Sequence, residues 1–138
     1  MIEYLSVDDI RDLHELALER YGGLAGEIEP GMIEFMAGKP QMETADGQEF
    51  YPGLFLKAAI YWEGFAVRQF FQDGNKRTGY LCGAAFLELN GHAFSVTDAE
   101  LYDESMRIAN HAITLEELVN WIEEHAQVAS VDMPFFTE

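Results

Sequence analysis

Residues 69–80 read QFFQDGNKRTGY, a polar turn set between two strongly apolar runs. Upstream, from Leu54 to Phe71, apolar side chains fall on nearly every helical face, Phe55, Ala58, Ile60, Tyr61, Trp62, Phe65 and Ala66 among them. A helix that is apolar all round belongs at the centre of a domain. Downstream, roughly 76–89 repeats the pattern and stops at Asn90-Gly91, a good C-terminal helix signal. The turn therefore joins two central helices, and the rest of the chain must wrap them.

The flanks supply that wrapping. Ser6 with Asp9 is a capping-box pattern, followed by Ile10, Leu13, Ala17 and Tyr21 at helical spacing and stopped by Gly22-Gly23. A short helix is expected from about Pro30, closed by Gly38 and Pro40. Residues 41–52, QMETADGQEFYP, hold no helical stripe, and Asp46-Gly47 is a hairpin-type turn signal, so an extended flap is expected there. Thr97 with Glu100 and Thr114 with Glu117 announce two more helices, the second with Leu118, Trp121 and Ile122 at core spacing. From Gln127 onward there is no periodicity. The class is all-α: a compact helical bundle with a short β flap, in one domain over 1–126 with a tail at 127–138.

Bulk composition bounds the rest. A length of 138 residues suits a single domain with a real core, and 49% hydrophobic content excludes a disordered chain. Cys82 is the only cysteine and lies within an apolar run, which reads as a packing thiol in a reducing compartment. The opening MIEYLSVDD lacks the basic-then-apolar order of a secretion signal, and no apolar stretch is long enough and uncharged enough to span a bilayer. A cytoplasmic domain is the expectation. A formal charge of −17 argues against nucleic acid or anionic membrane as a partner. Solubility, a high-salt cytoplasm and a basic protein partner remain three open readings of that excess.

Against this background the turn stands out. Between Gly64 and Leu87 the only acid is Asp73, against Arg68, Lys76 and Arg77, so three bases minus one acid leave +2. Gly74 permits backbone geometry closed to other residues, Asn75 is a favoured cap, and a helix start offers free amides to an anion. Lys76 and Arg77 add two full charges there, and Asp73 suits Mg²⁺, which takes one or two carboxylates plus phosphate oxygens. The plain alternative is an ordinary helix start with solvated basic side chains. GNKRT does not match the P-loop pattern.

The whole string from Phe71 to Thr78, F-x-D-G-N-K-R-T, resembles the active-site motif of the Fic/Doc superfamily and specifically its Doc (death-on-curing) branch. LHELALERYGG (13–23), EPGMIEFMAGKP (29–40), FYPGLFLKAA (50–59) and FLELNGH (86–92) resemble Doc segments in the same order, over about residues 4–124. The resemblance implies an all-helical fold with a flap over the site, and a nucleoside triphosphate such as ATP used with Mg²⁺ to modify a hydroxyl of a target protein. It implies that Asp73 binds the metal, that Gly74, Asn75, Lys76 and Thr78 hold the anion with Arg77 on phosphate, and that the flap at Asp46-Gly47 aligns the target. The AMP-transferring branch usually reads G-N-G-R-T-x-R; here Lys76 and Tyr80 replace the second glycine and the second arginine, which favours the phosphoryl-transferring Doc branch. Doc proteins imply a toxin, an antitoxin partner, and a target such as elongation factor Tu.

One position departs from that pattern. The family's general-base histidine falls at Gln69, and glutamine cannot take a proton near neutral pH, a function typically worth about 10²–10⁴-fold in rate. Three consequences are open: a slow kinase or nucleotidyltransferase that relies on positioning, a relative that binds without turnover, or a replacement introduced into a toxic protein. His14, His92, His111 and His125 read as packing or surface residues, and no pair has metal-ligand spacing. Arg68 reads equally as a phosphate contact and as a surface residue.

Overall fold

A computed structural model describes residues 1–128, and its elements follow the punctuation of the sequence. Helix α1 spans Val7–Tyr21, α2 Pro30–Gly38 with a 3-10 turn over Lys39–Gln41, α3 Leu54–Val67, α4 Asn75–Leu89, α5 Asp98–Ala109 and α6 Leu115–His125. Two three-residue strands, β1 (His92–Phe94) and β2 (Ala126–Val128), pair antiparallel with Ala93 opposite Gln127. The fold is mostly helical with one small sheet, as expected. Three helix starts are closed by the anticipated capping boxes: Ser6 with Asp9, Thr97 with Glu100 and Thr114 with Glu117.

Helices α3 and α4 form the centre, and the residues at their contact explain the close approach. A Cβ on Gly79 would sit 2.7 Å from the Trp62 carbonyl oxygen, and one on Gly83 would meet the Ala58 carbonyl oxygen at 3.4 Å. Glycines one turn apart on α4 thus let α3 lie against its backbone. Trp62, Phe65, Phe71, Tyr80, Leu81 and Phe86 fill the space around this seam and are fully buried. Trp62 Nε1 donates to Ser105 Oγ (3.1 Å), which in turn donates to the Lys76 carbonyl (2.7 Å). This relay ties α3, α5 and the first turn of α4 together.

Four expectations are corrected. Helix α3 stops at Val67, not Phe71, because Phe70 and Phe71 are buried as extended chain: Phe71 bridges Glu27, and the Phe70 carbonyl accepts from Ile28 N–H (2.8 Å). Burial of both rings continued the apolar pattern past the real helix end. Second, the small sheet is built by β1 and β2 rather than by the flap, in which Glu43 and Glu49 make a single bridge. Third, Gln127 and Val128, placed in the tail by their lack of period, lie in β2, a strand too short to show one. Residues 129–138 of the expected tail lie outside the described residues. Fourth, Gly74, not Asn75, occupies the cap of α4.

The flap over 41–52 is nevertheless ordered as an extended turn. Phe50 N–H donates to the Met42 carbonyl (3.0 Å), Thr44 Oγ1 to Asp46, and Gly47 turns at φ 88°. Fully buried Lys57 on α3 anchors its far end, donating to Glu49 (2.8 Å) and to the Tyr51 carbonyl. Among the described residues no helix is long and apolar enough to cross a membrane. Cys82 is fully buried, and burial pushes its thiol pKa up, so it packs rather than reacts.

Candidate functional site

The turn 68–74 and the start of α4 form one wall of a cavity of about 600 Å³. Arg68, Gln69, Asp73, Gly74, Asn75, Lys76 and Arg77 all line it, opposite the end of α1 and the α5 residues Tyr102 and Ala109. Three cations and one acid therefore face the same space in a chain of −17. The local positive balance legible in the sequence is a real concentration of charge in one cavity.

Backbone conformation opens the helix start. Gly74 adopts φ 81° and ψ 13°, a left-handed geometry that glycine takes without strain, and α4 has no side-chain cap. The first helical bond is Thr78 N–H to the Gly74 carbonyl (2.8 Å), so the amides of Asn75, Lys76 and Arg77 precede the ladder. The Asn75 side chain staples the turn: its Oδ1 accepts from Phe71 N–H (3.0 Å) and its Nδ2 donates to the Phe71 carbonyl (2.9 Å). Asn75 thus fixes the shape of the turn, and its backbone amide lies ahead of the first helical hydrogen bond.

Asp73 is held from two sides. Its Oδ2 accepts from Leu24 N–H (2.7 Å), and its backbone carbonyl accepts from His14 Nε2 (2.8 Å). Gly23 leaves room for this, since a Cβ there would lie 2.9 Å from the Asp73 Cβ. Among the described residues no hydrogen bond engages Asp73 Oδ1. Among the described residues no three metal-ligating side chains converge, so a divalent ion fits only if phosphate oxygens complete its shell, which is the usual habit of Mg²⁺. Asp73 Oδ1 fits that arrangement.

Arg77 makes no hydrogen bond or ion pair with another described residue, and its Nη1 is buried without a partner. Its guanidinium lies 3.6 Å from the Tyr21 ring centroid and 4.2 Å from that of Tyr102. Tyr21, counted in the sequence as part of the α1 core stripe, is 41% exposed and belongs to this cavity instead. Nothing in the spacing pointed to either tyrosine; the helix-stopping Gly22-Gly23 beside Tyr21 was the nearest signal.

Other expected residues fall elsewhere. Thr78 is fully buried behind the wall, with no partner for its hydroxyl among the described residues. Asp46 and Gly47 sit at the flap tip and do not line the cavity. Gln69 is exposed at the cavity wall, with Nε2 donating to the Gln72 carbonyl (3.2 Å). His14 packs, as expected, but it does so directly beneath the turn. Tyr80 is buried, its hydroxyl without a partner among the described residues, and burial pushes its pKa up to about 12 although Arg77 and Arg20 pull the other way.

The sequence profile of the Fic/DOC family matches residues 4–87. Over 120 residues, 86% of this chain and 92% of the relative, the chain is 32% identical to the "Protein kinase doc" of Escherichia phage P1. It is 33% identical over 91 residues to the "Toxin Doc" of Mycolicibacterium smegmatis, covering 66% of this chain and 67% of that protein.

Proposed function

The chain belongs to the Fic/DOC family, and from that premise we propose that it is a Doc-like toxin of a toxin–antitoxin pair. In this reading it transfers a phosphoryl group from a nucleoside triphosphate, ATP in the first instance, to a hydroxyl of a target protein. The observation that carries the reading is Arg77: a guanidinium with no acid partner among the described residues, on the wall of a cavity shared with Lys76, Arg68 and the uncapped start of α4. Such a site favours a polyanion over any neutral ligand.

Asp73 Oδ1 would hold Mg²⁺, which when bound neutralises phosphate charge. The amides from Gly74 onward and Lys76 would receive the phosphates, with Arg77 on the transferring group and Thr78 behind them. In the transfer the target oxygen bonds to the γ-phosphorus, the bond to the β-bridging oxygen breaks, and the nucleoside diphosphate departs. Gln69 cannot accept the hydroxyl proton, so that proton leaves to water or to a phosphate oxygen, and catalysis rests on positioning. Phosphoryl rather than nucleotidyl transfer is favoured by Lys76 and Tyr80 in the two positions where the AMP-transferring pattern has glycine and a second arginine. Buried and neutral, Tyr80 supplies no charge for a terminal phosphate.

The Asp46-Gly47 flap would align the target, a translation factor such as elongation factor Tu, and an antitoxin would be the cognate partner in the cytoplasm. A second reading is a non-catalytic nucleotide- or protein-binding relative with a regulatory or decoy role. It is supported by Gln69, whose amide is turned back on its own loop. Incubation with Mg²⁺ and ATP labelled at either the γ or the α position, in cell extract, tests both. Protein label from γ alone supports the kinase; label from α replaces it with nucleotidyl transfer. MgATP binding with no label supports the second reading in its nucleotide-binding form, and absence of binding removes the kinase and leaves only a protein-binding relative.

A further inference from the structure

The stacking around Arg77 carries an inference about how the site is built, and it rests on the nucleotide reading above. Arg77 projects from the first turn of α4, while Tyr21 ends α1 and Tyr102 lies on α5. Three helices thus converge on one guanidinium, with ring centroids at 3.6 Å and 4.2 Å from its central carbon. We propose that Tyr21 and Tyr102 are positioning residues: together they clamp both faces of Arg77 and so fix the plane in which it meets the ligand.

The chemistry follows from the shape of the group. All five guanidinium N–H donors lie in its plane, and none points from its faces. Covering both faces with π-systems leaves the in-plane donors unengaged by any described residue, whereas a carboxylate partner would have consumed two of them and neutralised the charge. The rings also contribute attraction to the cation without competing for its hydrogens. Arginine suits this arrangement and lysine does not, since an ammonium has no plane to hold. In a strongly acidic chain, aromatic clamping is the way to order a cation while keeping its full charge for an anion.

Pre-organisation of this kind raises affinity by removing the ordering cost at binding. Loss of both rings is expected to weaken MgATP binding about ten-fold, through lost cation–π contact and restored side-chain freedom. The Phe replacements keep the π faces and remove only the hydroxyls, so they rescue.

The test pairs calorimetry with a second readout on the free protein. MgATP is titrated into wild type, Tyr21→Phe/Tyr102→Phe and Tyr21→Leu/Tyr102→Leu, and the Arg77 Nε–H resonance of each is recorded without ligand. Expected is an upfield-displaced Arg77 signal in wild type and the Phe pair, restored to the ordinary position in the Leu pair, with about ten-fold weaker binding only in the Leu pair. An unmoved Arg77 signal in the Leu pair, or wild-type affinity there, overturns the proposal. If wild type binds no MgATP while the signal still moves as expected, the nucleotide reading fails and the clamp stands.

Discussion

His14 stacks face to face on Phe71, ring centroids 3.7 Å apart and planes 9° from parallel, while its Nε2 lies 2.8 Å from the Asp73 carbonyl oxygen. A carbonyl only accepts, so Nε2 carries the hydrogen and the ring is held as that tautomer. One side chain from α1 therefore supports both ends of the turn that bears the motif. Gly74 rests on the same ring, since a Cβ there would sit 3.5 Å from it.

Removing this support should loosen the turn without dissolving the core. His14→Ala forfeits a buried hydrogen bond and an aromatic stack, each worth about 1 kcal/mol, so a loss of about 2–3 kcal/mol is expected from urea unfolding. Phe at position 14 keeps the stack and leaves the carbonyl unpartnered, and should fall between the two. Hydrogen exchange should quicken over residues 70–74 in both variants while α3 keeps its protection. Equal protection of the turn in wild type and His14→Ala would refute the supporting role.

Two glycines of α4 and α2 are expected to respond in opposite directions to the same added methyl. At Gly79 a Cβ meets the Trp62 backbone oxygen at 2.7 Å and cannot be accommodated without separating α3 from α4, so Gly79→Ala should cost about 1–3 kcal/mol. At Gly31 nothing lies within 4 Å, and Gly31→Ala should stabilise by about 0.4–1 kcal/mol through reduced freedom of the unfolded chain. Denaturation midpoints of the two single variants decide the matter.

Sequence pattern made the seam legible but not the site's second wall. The all-round apolar runs announced α3 and α4 because burial on every side leaves no polar stripe, and capping boxes marked α1, α5 and α6 because their chemistry is local. The motif turn was legible for the same reason: Gly74, Lys76 and Arg77 are neighbours in the chain. Tyr21, Leu24 and Tyr102 were not, since they reach Arg77 and Asp73 from helices and loops distant in sequence. The end of α3 was misread because Phe70 and Phe71 bury equally well in extended chain, and β1 and β2 were missed because three residues carry no detectable period.

The pH dependence should carry two opposite signatures. Arg11 donates twice to Glu27 (2.8 and 3.0 Å), and this hydrogen bonding holds the Glu27 carboxyl below its ordinary pKa. A depressed folded value contributes stability at neutral pH that is lost as pH falls through that value. Glu104 is the reverse: burial raises its pKa, with Arg107 pulling the other way, so the folded state is penalised once the group ionises. Relative to wild type, Glu27→Gln should be less stable at pH 7 and Glu104→Gln more stable. Both differences should fade towards zero as pH drops below the ordinary carboxylate range of about 4. Parallel stability–pH curves for all three proteins would contradict both assignments. Because the Arg11–Glu27 pair braces the loop carrying Leu24 N–H, Glu27→Gln should also speed exchange at that amide.

The sharpest functional prediction concerns Gln69. Its side chain stands on the cavity wall, where the amide nitrogen donates to the Gln72 carbonyl, and an amide cannot take a proton from an attacking hydroxyl. His14 cannot substitute, because it is buried with Nε2 committed to the Asp73 carbonyl. Placing a base there should therefore raise the rate without altering the proposed anion site. Gln69→His is expected to increase label transfer from γ-labelled ATP by about 10²–10⁴-fold, with MgATP affinity within about two-fold of wild type, since the residue adds no phosphate contact. The gain should follow a titration near pH 6.5 that wild type lacks, the ordinary range of imidazole. Adding Arg77→Ala to Gln69→His should abolish the gain if, as proposed, Arg77 meets the transferring phosphate. A Gln69→His protein that binds MgATP normally yet transfers nothing would show that the cavity holds nucleotide for a purpose other than transfer.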